Sequence, residues 1–204
     1  MSKNKDRNIL EAAAEVVEAG FDQLITNPLL KDIPFVGTAL KLAKGSYDLR
    51  ARIFQAKLEK FLAEPSLRSS RDARLIRARL NNDNQAQDIG ATLFLIIEKV
   101  TDMKKPELLA KIFAAYLDEK IDAPIFFMLG HAIDQSHLID LQIFLELVAR
   151  PEESSWQQRL TSSGLMTSLV VTVGGAHSYN AYSVAALGQQ FADAVKYADQ
   201  ITGS

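Results

Sequence analysis

The sequence predicts a mainly α-helical protein, a multi-helix bundle that carries one C-terminal β-hairpin. Apolar residues recur at three- and four-residue spacing through most of the chain, as in helices that bury one stripe. Prolines and capping residues interrupt that pattern at helix-length intervals. The third observation is compositional. From Leu160 to Ala192 there is no Asp, Glu, Lys or Arg, although charged residues make up 24% of the chain and about eight would be expected there.

The first helix is expected from Asn8 to Thr26, with Ile9, Ala13, Val16, Gly20, Phe21 and Leu24 on one face. Asn27-Pro28 ends it, because the residue before proline is pushed out of the α region. Asp32 then serves as an N-cap, and Pro34 is tolerated in the first turn of a second helix. That helix extends to Ala63 with Val36, Leu40, Ala43, Tyr47, Phe54, Leu58 and Phe61 along its stripe. Pro65-Ser66 and Ser69-Ser70 mark a boundary. Helices over Arg71–Leu80, Gln85–Thr101, Pro106–Glu119, Ala123–Ile133 and Ser136–Ala149 follow, joined by short links that imply antiparallel neighbours.

Pro151 opens a helix with Trp156 and Leu160 on its inner face and Gly164-Leu165 as its stop. A strand Leu165–Val173, a tight turn at Gly174-Gly175-Ala176 and a returning strand Ser178–Val184 form the hairpin. Leu187, Phe191, Ala194, Ala198 and Ile201 then give a closing amphipathic helix. A helix followed by such a hairpin is winged-helix-like. Three units are therefore expected: an N-terminal helical hairpin (1–65), a helical bundle (66–150), and a winged-helix-like hairpin with its closing helix (151–204).

Composition excludes more than it selects. The 204 residues are 48% apolar, enough for one sizeable core. There is no cysteine, which removes disulfides, thiolate metal sites and cysteine nucleophiles. A net charge of −2 gives no global attraction to nucleic acid or anionic lipid. The charged N-terminus, Met1-Ser-Lys-Asn-Lys-Asp-Arg7, lacks the apolar core of a signal peptide, and the apolar stretches at 33–40, 89–97 and 123–133 are too short to span a bilayer. A cytoplasmic protein is expected, with peripheral attachment at the inner membrane as the second setting.

Charge is nevertheless uneven. Arg68, Arg71, Arg74, Arg77 and Arg79, opposed by Asp72, give Ser66–Leu80 a charge of +4 and leave −6 for the rest. Those arginines could hold phosphates or an acidic partner. They could equally pair with helix surfaces bearing Glu107, Asp118, Glu119 and Asp122. The segment Ile33–Gly45 places Phe35, Val36 and Leu40 beside Lys41 and Lys44, a pattern suited to a membrane surface or a partner helix, or to packing on the first helix.

The three histidines, His131, His137 and His177, fit no metal spacing. Asp134 and Asp140 are close enough in sequence to form a carboxylate–histidine pair, although Ser136 and its neighbours read as helix caps. No nucleotide-binding, nucleophile-elbow or zinc-protease pattern occurs, so no catalytic residue, metal or cofactor is expected.

Two stretches, Lys31-Asp-Ile-Pro-Phe-Val-Gly37 running through Arg50–Lys57 to Lys60-Phe-Leu62, and Ile89–Lys99 running through Leu109–Phe113 and Phe126 to Asp140-Leu141, resemble a loose set of small bacterial helical proteins. Arg159–Leu165 and Tyr182–Gly188 are similar to the recognition-helix end and post-wing segment of winged-helix-like domains. The resemblance implies a bacterial protein with structural motifs and no catalytic residues. A place in phage defence stands beside it as a working expectation.

The expected function is a non-enzymatic interaction or effector protein acting through helical surfaces, with a protein partner or homo-oligomer foremost and a membrane next. The alternative is a winged-helix DNA-binding regulator reading through Pro151–Ser163, where Arg159 is the only basic residue and Glu152 and Glu153 repel phosphate. The wing has no basic residue at all.

Overall fold

A computed structural model describes residues 49–69, 83–147, 155–173 and 177–203. Within them lie eight helices and one two-stranded sheet. The helices are α1 (Leu49–Ala63), α2 (Pro65–Ser69), α3 (Asp83–Lys99), α4 (Lys105–Leu117), α5 (Ala123–Gln135), α6 (Leu138–Leu147) and α7 (Ser155–Thr161), followed after the hairpin by α8 (Ala186–Thr202). The strands are β1 (Met166–Val173) and β2 (His177–Val184). The expected mainly α fold with a single C-terminal hairpin is the one observed.

The centre of the fold is α4, whose sequence after Glu107 is almost entirely apolar. A helix that is hydrophobic on every side must be surrounded. Leu109, Ala110, Ile112, Phe113, Ala114 and Ala115 have no solvent exposure, and α1, α2, α5 and α8 pack around them. Phe113 anchors the contact, with its ring 5.8 Å from Phe61, 6.0 Å from Tyr116 and 5.5 Å from Phe126. Pro106 and Glu107 suit the first turn of α4, where proline removes no helical hydrogen bond and an acid meets the positive end of the helix.

Local signals set the neighbouring elements. Asp122 caps α5 by accepting from the Ile125 N–H at 2.9 Å, with Pro124 in the first turn. Glu64 and Pro65 break the chain between α1 and α2, yet Leu58, Phe61, Leu62 and Leu67 on both sides of that break share one buried cluster with the rest of the core. In the last helix Phe191, Ala194, Val195 and Ala198 face inward. Phe191 stacks 6.1 Å from Phe144, which in turn lies 6.4 Å from Trp156, so α6, α7 and α8 meet through aromatic rings.

Several boundaries differ from expectation. The helix expected over Gln85–Thr101 stops at Lys99, and that over Pro106–Glu119 stops at Leu117, where the Asp118 and Glu119 amides turn back to Ala114 and Tyr116. The expected start at Ser136 is displaced to Leu138, because the His137 carbonyl takes the first amides, those of Asp140 and Leu141. Ser136 instead closes α5 through its amide to Ala132, and its Oγ is buried without a protein partner. The helix before the hairpin ends at Thr161, and Gly164 adopts φ +76°, the left-handed turn that its position required. Asn8–Thr26, residues 29–48, Arg71–Leu80, Pro151 with Glu152 and Glu153, and the Gly174–Ala176 turn lie outside the described residues.

Candidate interaction surface

The hairpin is held at its base and open everywhere else. Leu160 and Leu165 are fully buried, and Ser163 bonds the Leu160 carbonyl through its Oγ at 3.0 Å. The Leu165 carbonyl then accepts the Ala185 amide at 3.0 Å, tying the start of β1 to the end of β2. Gly188 lies directly against that carbonyl, so the first turn of α8 closes the base from the other side.

Register assigns the two faces. Met166 pairs with Val184, Ser168 with Tyr182, Val170 with Asn180 and Thr172 with Ser178; opposed residues in an antiparallel pair share a face. Met166 is buried, and Tyr182 and Val184 pack against the core, so the base of this face turns toward the helical body, whereas Val170 farther along the same face is 65% exposed. The other face, formed by Thr167–Ser183, Leu169–Ala181, Val171–Tyr179 and Val173–His177, turns away from it. Leu169 is 69% exposed, Val173 57% and Tyr179 50%. Val171 and Ala181 of this face are half-buried, and a Thr167–Ser183 hydroxyl pair at 2.8 Å closes its inner end.

The only basic residue of the expected DNA reader is already engaged. Asp140, fully buried on α6, accepts from Arg159 Nε at 2.7 Å and Nη2 at 2.5 Å, a two-pronged pair that fixes α7 against α6. The Asp140 hydrogen bond and charge raise the Arg159 pKa further above its ordinary value. Arg159 Nη1 also donates to Ser155 Oγ at 3.2 Å. The guanidinium works within the fold, orienting the helix that leads into the hairpin.

The other expected sites divide clearly. Phe35, Val36, Leu40, Lys41 and Lys44 lie outside the described residues, as do Arg71, Arg74, Arg77 and Arg79. Arg68 belongs to α2, with its side chain outside the description. Of the acids thought able to answer those arginines, Glu107 pairs with Lys60 at 3.2 Å, Asp118 accepts from Tyr197 at 3.0 Å and Asp122 caps α5. The carboxylate–histidine pair is not formed. Both Asp140 oxygens belong to Arg159, and His131 Nε2 lies 2.7 Å from Gln135 Nε2. Among the described residues, no group of three or more His, Asp or Glu is placed to hold a metal.

Two buried lysines were not anticipated. Lys57 Nζ donates to the Glu98 carbonyl at 2.7 Å and Lys105 Nζ to the Asp134 carbonyl at 2.8 Å, each at the C-terminal end of a helix where carbonyls lack helical partners. Burial lowers both lysine pKa values below 10.5, with Glu98 and Asp134 opposing the shift at Lys57 and Asp134 and Asp102 at Lys105. A lysine inside an apolar stripe was the available signal: Lys57 precedes Leu58, and Lys105 precedes Pro106.

Fold and surface together define an α-helical protein with a winged-helix-like C-terminal unit whose wing is a neutral, projecting ribbon. Comparison with protein-family models, curated proteins and solved structures found no match to the chain. No helix among the described residues is long and apolar enough to cross a membrane.

Proposed function

We propose that this chain is a non-enzymatic interaction protein and that the outward face of the β1–β2 hairpin is its contact surface. The observation that carries this reading is the contrast in burial: large apolar side chains fill the core of the helical body, while Leu169, Val173 and Tyr179 stand exposed together on one face of the hairpin and Val170 on the other. Contiguous exposed apolar residues on a folded domain characterise surfaces that meet another molecule. Both strands are also sheet edges, which natural sheets protect with charge, and no charged side chain lies between Leu160 and Ala192.

The test places a photo-crosslinking amino acid at Leu169 in the full chain expressed in cells, with Lys99 on α3 as the control position. Covalent adducts to protein from Leu169 and none from Lys99 support the reading. No adduct from Leu169 overturns it.

The helix–hairpin–helix order of α7, β1, β2 and α8 favours a second reading, a winged-helix regulator that binds duplex DNA. Against it stand the neutral wing and the commitment of Arg159 to Asp140. Duplex binding that falls steeply with salt and weakens when Arg71, Arg74 and Arg77 are replaced would put this reading first.

A further inference from the structure

We draw no further inference here: the strongest candidate, the exposed apolar patch of the β1–β2 hairpin around Leu169, Val170, Val173 and Tyr179, belongs to the contact surface already described, and nothing in the structure shows what covers it.

Discussion

The helix α4 and the hairpin β1–β2 are both rich in apolar side chains, and the fold uses them in opposite ways. Around α4, the helices α1, α2, α5 and α8 converge on a surface that leaves Phe113 and its neighbours no contact with water. The hairpin shares only its base with that body, through Leu165, Met166, Tyr182 and Val184. Beyond the base Leu169, Val170, Val173 and Tyr179 lie in solvent. Hydrophobic composition therefore separates a core from an exposed surface here only once burial is known.

The sharpest way to break this contrast is to damage the body. Phe113→Ala removes a ring packed among Phe61, Tyr116 and Phe126 and is expected to lower unfolding stability by about 3–5 kcal/mol, read from urea denaturation. A loss below 1 kcal/mol, on the order of a surface substitution, would mean that α4 is not the centre of the core. Gly188→Ala comes next. Its new methyl falls on the Leu165 carbonyl oxygen and close to Phe144, and because the obstacle is backbone the expected loss is about 1–3 kcal/mol. The junction between body and hairpin should loosen with it, and near-ultraviolet circular dichroism of Trp156 should record the change.

Arg159→Met is expected to destabilise the fold by leaving the buried Asp140 carboxylate without its partner. The double change Asp140→Leu with Arg159→Met should recover part of that loss in thermal unfolding. Additive losses would show that the pair does not act as a unit.

A smaller effect follows from pH. Lys57 and Lys105 have folded-state pKa values below 10.5 because burial disfavours their charged form. The unfolded chain then binds more protons than the folded one between the lowered values and 10.5, so these two groups raise stability as pH climbs through that window. Comparing urea midpoints at neutral and alkaline pH in wild type and in Lys57→Met with Lys105→Met isolates the contribution. The double variant should show the smaller alkaline gain, and an unchanged gain would contradict the assignment. Smallest of all, Leu169→Asp should alter stability by no more than about 0.5 kcal/mol, since that side chain is 69% exposed.

Much of the described fold could be read before its coordinates. Periodicity placed α3 to α6 and α8 within a few residues, because Pro106 and Pro124 start helices by local chemistry that no tertiary contact overrides. Gly164 marked the turn into the hairpin for the same reason. What periodicity could not convey was the pairing of distant polar groups. Arg159 reads as a surface cation in a short amphipathic helix, and only the approach of α6 reveals that Asp140 holds it. Lys57 and Lys105 likewise look solvated until the ends of α3 and α5 arrive beside them. The charge-free run did point to the surface now assigned, although its alternation of apolar and hydroxyl residues gave no means of telling which face turns away from the body.

Amide hydrogen exchange resolved along the full chain tests the central contrast most directly, with segments from α4 compared against residues 168–173 and 177–182. The account predicts that the hairpin amides exchange through local opening far faster than those of α4. Hairpin protection equal to that of α4 would show that the ribbon is as firmly held as the core, and would contradict the account.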